Sequence, residues 1–166
     1  MCIRDRPGLV WHFIGLLQRR KLKDLVGRFD LIHSLGSIDQ ANELNWRAKE
    51  CGIQQSVLLE VNVGSESTKG GFPISDLKTA MPILDQFTHI QIQGLMAIPP
   101  QTSDSEITRS HFRALKILAE EVKAMNLENI NMKELSMGMS QDFTIAIEEG
   151  ATLIRIGTAL FGTRAT

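Results

Sequence analysis

The chain has 166 residues, 43% hydrophobic and 22% charged, which is enough apolar material for one packed domain and places it outside the disordered and fibrous classes. A formal net charge of -1 gives no electrostatic case for a nucleic acid or an anionic membrane as partner, and no apolar run reaches the roughly 20 residues of a membrane span. Cys2 and Cys51 make neither a disulfide framework nor a metal cluster, so a reduced, cytoplasmic setting without a bound metal is expected.

Residues 1–6 (MCIRDR) carry no periodicity, cap or turn signal and run straight into Pro7-Gly8; they read as a foreign prefix, which leaves the domain at 7–166. Leu9 to Ile14 is an apolar, aromatic strand closed by Gly15, and Gln18 to Arg28 is a short basic helix with Leu22, Leu25 and Val26 on one side. Asp30 to Leu35 is the next strand. Ser37 is placed to cap the following helix, where Ile38, Ala41, Leu44 and Ala48 fall at helical spacing before Cys51-Gly52 ends it. Ser56 to Val63, apolar and β-branched, is the strongest strand signal in the chain. A polar loop from Gly64 to Gly71 leads to a helix at about Ser75 to Phe87, with Pro82 weakening its middle. Ile90 to Ile98 is a strand stopped by Pro99-Pro100. Ser105 to Met125 is the longest helix, its buried stripe predicted as Phe112, Leu115, Ala119, Val122 and Met125. Met132 to Met137, a short helical segment Gln141 to Gly150, and Thr152 to Ile156 complete the alternation.

About six strands separated by helices make right-handed crossovers and a parallel sheet of the α/β class. No linker or charge block divides the chain. The absence of a GxGxxG fingerprint after any strand argues against a dinucleotide-binding sheet and favours an incomplete (β/α)8 TIM-type barrel, since about 250 residues are typical of a whole one. Two polar loops close the last strands: Ser136-Met137-Gly138-Met139-Ser140, and Arg155-Ile156-Gly157-Thr158. Glycine lets backbone approach a ligand, hydroxyls add donors, and in such barrels the last two strand-to-helix loops are the frequent phosphate site. Two ordinary Gly/Ser-rich turns remain the alternative.

The segment Trp11-His12-Phe13-Ile14-Gly15-Leu16-Leu17-Gln18-Arg19-Arg20-Lys21 resembles the WHFIGxLQxxK signature of the pyridoxal phosphate homeostasis protein family. The resemblance continues through Val61-Asn62, Glu66-Ser67-Thr68-Lys69 with Gly71, Gln93-Gly94-Leu95-Met96-Ala97-Ile98, the Leu135-to-Ser140 block with Asp142, and Arg155 to Gly162, in the family's order. It implies an alanine-racemase-like barrel that binds pyridoxal 5′-phosphate and serves intracellular homeostasis of that cofactor without catalysis. Cofactor-requiring apo-enzymes are the protein partners it suggests, and a monomer the full-length form. The family's VSKTK-like first-strand segment, which carries the aldimine lysine, and its GENY-like second-strand segment have no counterpart here, so the resemblance implies a fragment lacking the first two βα units. Leu9 to Ile14 and Thr152 to Ile156 would then be open sheet edges, and the chain as written is expected to be insoluble, molten or strand-swapped.

Carried over residue by residue, the cofactor site comprises Ser136, Gly138, Met139, Ser140, Arg155, Gly157 and Thr158, with Asn62 and Met96 lining the ring pocket or packing in the core. Gly157, Thr158, Ser140 and the Gly138-Met139 backbone would hold the phosphate. Arg155 would reach the pyridine nitrogen, or else pair with a neighbouring carboxylate; Ser136 would orient the loop. His12 reads as a core histidine with catalysis as the minor alternative, Lys69 as solvated, and Arg19-Arg20-Lys21-Lys23 as a solvated face or an anion site. No catalytic residue is assigned. The competing function is a cofactor-dependent racemase, which the resemblance disfavours because such enzymes commonly use a tyrosine base and this chain contains 0 Tyr. A barrel for another phosphorylated ligand is more distant.

Overall fold

In the computed structural model, which describes residues 8–66 and 70–162, the stretch with the strongest strand signal lies inside the sheet as β3 (Gln55–Asn62). Its neighbours are β2 (Leu31–Leu35) on one side and β5 (Ile90–Met96) on the other. Outside these lie β1 (His12–Phe13) next to β2, and β6 (Ile130–Met139) then β7 (Leu153–Arg155) beyond β5. A two-residue strand β4 (Phe72–Pro73), unforeseen in the sequence, pairs with the end of β3 at Val61 and Asn62. Every pairing is parallel, and helical crossovers separate the successive strands of the main path β1-β2-β3-β5-β6-β7. The helices are α1 (Ile38–Glu50), α2 (Ile74–Leu84), α3 (Ser105–Lys123), α4 (Phe143–Glu148) and α5 (Thr158–Phe161). The proposed prefix, residues 1–6, and the Ser67-Thr68-Lys69 part of the loop motif lie outside the described residues.

Side chains alternate across the strands, and the two faces bury different things. Ile32, Val57, Leu59, Val61, Ile90 and Ile92 pack with helical residues such as Leu44, Leu77, Met81, Phe112 and Leu115 in the main core. Leu31, Leu58 and Met96 form a small separate cluster with Leu153 on the opposite face. That second face is concave. In a flat sheet β2 and β6, separated by β3 and β5, would stand roughly 14 Å apart at the usual strand spacing. Yet His33 Nδ1 of β2 lies 2.8 Å from Ser136 Oγ of β6, so the sheet curls around its inner face. An all-parallel, curved sheet with helices on its convex side is the part-barrel expected from the alternation. Among the described residues β1 pairs only with β2 and β7 only with β6, so the two edges fall where the sequence places them.

Local differences have local causes. Ser37 does cap α1, accepting from the Gln40 amide at 3.2 Å. The basic segment forms only a 3-10 helix, Arg19–Asp24, because Gln18 makes no side-chain cap bond and Gly27 turns the chain at φ +72°. Pro82 lies inside α2 without interrupting it, and the helix ends two residues later. β6 begins earlier and runs further than expected, because its end pairs beyond Ser136 as far as Met139 with Arg155.

The outer layer carries an ion-pair cluster that ties α3 to the end of α4. Arg109 of α3 donates to Glu148 at 2.6 Å and to Glu149 at 3.0 Å, and Arg113 donates to both oxygens of Glu149 at 2.9 and 3.2 Å. The two guanidinium groups, Arg113 first, hold the Glu149 carboxyl below its usual range. A carboxyl depressed in the folded state adds stability above its ordinary value, and that stability is lost as pH falls through the folded one. Glu149→Gln is therefore expected to lower the melting temperature at pH 7 by a few degrees. The difference should shrink towards zero as thermal melts are repeated below pH 4, and a difference independent of pH would be the contrary result.

Candidate functional site at the C-terminal ends of the strands

Gly138, near the end of β6, has φ +91°, and a Cβ there would lie 2.5 Å from the Ala146 Cβ and 3.1 Å from the Phe143 Cα, so the strand crosses α4 at a distance only glycine permits. The chain then turns: Met139 N–H donates to Asp142 Oδ1 at 2.6 Å and Asp142 N–H to the Met139 carbonyl at 3.1 Å. This turn presents Ser140 to the end of β7. Its hydroxyl oxygen accepts from the Gly157 amide at 3.3 Å and the Ala159 amide at 3.1 Å. The two polar loops therefore meet at one end of the sheet.

They border a cavity of about 1160 Å³ at the mouth of the concave face. Of the residues singled out in the sequence, Met96, Met139, Ser140, Arg155, Gly157 and Thr158 line it. Ser136 is fully buried beneath it, and Gly138 lies behind, against α4. Asn62 is not among the lining residues. Its side chain closes a turn instead, donating to the Glu66 carbonyl at 2.8 Å and accepting from the Glu66 amide at 3.2 Å. His12, read as a core residue, is half-buried and does line the cavity. No lysine is among the described residues that line it.

Arg155 is the central cation. Its Nη1 donates to Ser136 Oγ at 2.6 Å and its Nη2 to the Ala97 carbonyl at 2.9 Å. Burial pulls its pKa down, against the opposing charges of Asp142 and Glu60, yet a guanidinium keeps its proton throughout the physiological range. Glu60 shares the inner face of β3 with Leu58 and lies opposite Met96 in the ladder; burial raises its pKa and Arg155 works against that rise. His33 is 2% exposed, and burial, then the nearby His12 and Arg155, lowers its pKa to about 4. It is neutral at pH 7. The site thus offers a fixed cation, hydroxyls and loop amides over an apolar floor of methionine and leucine, which suits an anionic, partly aromatic ligand.

His33 and Glu60 were missed in the sequence. The available signal was period two: His33 follows Leu31 and Glu60 follows Leu58 on the face away from the helices. Polar residues in that register of a parallel sheet point into the barrel, not to solvent.

Comparison with known proteins agrees with this geometry. The family profile described as alanine racemase, N-terminal domain, matches residues 3–165. The pyridoxal phosphate homeostasis protein of Aquifex aeolicus is 47% identical over 156 residues, covering 94% of this chain and 68% of that protein. The one from Pseudomonas aeruginosa is 37% identical over 163 residues, covering 98% of this chain and 67% of its own length. The chain thus spans about two thirds of these relatives. The solved structure of PipY from Synechococcus elongatus with PLP bound superposes with a TM-score of 0.86 at 37% identity, covering 95% of this chain and 73% of that one. An alanine racemase of Clostridium difficile, 17% identical with a TM-score of 0.75 over 95% of this chain and 41% of its own, shares the fold. The chain belongs to the pyridoxal phosphate homeostasis protein family, within the alanine racemase N-terminal domain group.

Proposed function

We propose that this chain binds pyridoxal 5′-phosphate reversibly in the cavity and acts in intracellular homeostasis of that cofactor, buffering it or passing it to apo-enzymes that require it. The observation that carries the reading is the convergence of the Gly157 and Ala159 amides on Ser140 Oγ, beside the cavity-facing Arg155. Fit can be judged at Gly157, where a Cβ would meet nothing within 4 Å: the backbone borders open space that a phosphate ester could enter. Thr158 and the Ser140 hydroxyl, its oxygen held by those two amides, would hold the phosphate, with the Gly138-Met139 backbone shaping the loop. Arg155 would donate to the ring nitrogen, and Met96 would lie under the ring. When bound, the cofactor supplies an electron sink, and an arginine donor at an unprotonated ring nitrogen leaves that sink weak, which suits carriage better than amino-acid chemistry. The binding unit on this reading is residues 7–166, in a cytoplasmic protein that is monomeric at full length.

Because no described lysine lines the cavity, binding by this chain should be noncovalent. Titration with pyridoxal 5′-phosphate is expected to give saturable binding. Borohydride reduction and peptide mapping should then find no stoichiometric pyridoxyl-lysine within residues 7–166. Ser140→Ala should weaken binding about tenfold, the effect of one lost charge-assisted hydrogen bond. A single stoichiometric adduct, or no saturation at all, would overturn the reading, and a racemisation assay separates it from the enzyme alternative.

A further inference from the structure

A line of polar side chains crosses the concave face from one edge of the sheet to the other. His33 Nε2 lies 3.0 Å from His12 Nδ1, and the two rings are 5.0 Å apart between centroids. On the other side of the ring, His33 Nδ1 lies 2.8 Å from Ser136 Oγ, the same oxygen that receives the Arg155 Nη1–H at 2.6 Å. Ser136 is fully buried and His33 nearly so. Glu60 of β3 and Asp142, after β6, are the carboxylates whose charge reaches Arg155.

The chemistry of the groups assigns every proton along this line. A guanidinium has donors only, so Ser136 Oγ accepts from Arg155. The single hydroxyl hydrogen of a buried serine needs an acceptor, and His33 Nδ1 is at the right distance to be one. His33 Nδ1 is then bare, its proton is on Nε2, and that N–H donates to His12 Nδ1. A proton added to His33 Nδ1 would turn the serine hydroxyl away and set two cationic donors on one oxygen, which loosens Arg155.

We infer that His12 and His33 are positioning residues for Arg155, which, through Ser136, fix the guanidinium in one orientation towards the cavity and thereby set the affinity for pyridoxal 5′-phosphate. The role in affinity rests on the function proposed above; the orientation of Arg155 does not. Two holds act on that guanidinium, the Ala97 carbonyl on Nη2 and the histidine-serine line on Nη1. Of the two, only the second can change its proton pattern.

Nitrogen-15 NMR of the cofactor-free chain tests the orientation directly. The expected spectrum has His33 with bare Nδ1 and protonated Nε2 from pH 8 to pH 5, and separate Nη signals for an Arg155 whose rotation is arrested. A His33 that populates the opposite tautomer, or titrates near the ordinary 6.5, or an Arg155 with averaged Nη signals, would overturn the inference. His33→Leu should merge the Nη signals and weaken pyridoxal 5′-phosphate binding about tenfold. His33→Asn, whose Oδ1 can accept from Ser136, should restore both. Unchanged Nη signals and affinity in a folded His33→Leu protein would refute the relay. Arrested Nη signals in a parent chain that fails to bind the cofactor would uphold the positioning of Arg155 and end the cofactor reading instead.

Discussion

Gly94→Ala is expected to abolish cooperative folding. Gly94 lies in β5, opposite Glu134 of β6, and a Cβ built on it would fall 1.9 Å from the Glu134 carbonyl oxygen, 2.7 Å from its carbon and 2.9 Å from its nitrogen. All three atoms are backbone, so no side chain can rotate aside to make room. The strand cannot retreat either, because β5 pairs along its other edge with β3 from Gln55 to Glu60. Relief requires β5 and β6 to part, which breaks the ladder next to the loops that form the site. Ordinary overpacking costs about 1–3 kcal/mol where neighbours can adjust. Here they cannot, and a whole domain holds only about 5–15 kcal/mol in reserve. Thermal and urea denaturation should show no cooperative transition for the variant; a sharp melt within a few degrees of the parent would refute the argument.

Arg155→Met should reduce affinity for pyridoxal 5′-phosphate by about a hundredfold. The substitution removes the cation, and it also leaves Ser136 Oγ and the Ala97 carbonyl without the donors they now share. Charge-assisted hydrogen bonds contribute about 1.5–3 kcal/mol each, and one such bond to the ligand, together with loss of the ordered guanidinium, accounts for the estimate. Glu60 would lose the charge that opposes its raised pKa, so the site would become less polar as well as less positive. Arg155→Lys should not restore binding, because an ammonium cannot serve Ser136, Ala97 and a ligand in the planar arrangement of a guanidinium. Absorbance titration measures all three proteins. Parent-like affinity in Arg155→Met would remove the residue from the site.

How much of this was legible depends on what each feature needs in order to exist. The stripe Phe112, Leu115, Ala119 and Val122 reads directly as a buried helix face because helical spacing is local, and all four are buried. Met125, predicted to extend it, falls beyond the end of α3 at Lys123 and is 37% exposed. The Gly/Ser loops were legible for the same reason: a strand end, a turn and hydroxyls lie within a few residues. For Asn62 the sequence leaves ring pocket and core packing both open, because a strand-end position fixes where a side chain starts and not what it finds, and here it finds the Glu66 backbone. His33 and Glu60 could be assigned to a face but not to partners, since their partners depend on how far the sheet curls. Curvature is a property of six strands together.

That curvature has a kinetic consequence. The contact between His33 and Ser136 joins residues 103 apart in sequence. Closing a loop of that length costs about 4 kcal/mol in chain entropy before any constant term, far more than one hydrogen bond returns. The contact therefore cannot nucleate folding. It waits until β3 and β5 have paired in turn and bent the sheet, the slow route characteristic of parallel, non-local topologies. The polar line from His12 to Arg155 is then among the last features to form as the chain folds and among the first to open when β1 or β7 frays, so the site can lose its order while the helical core is still intact.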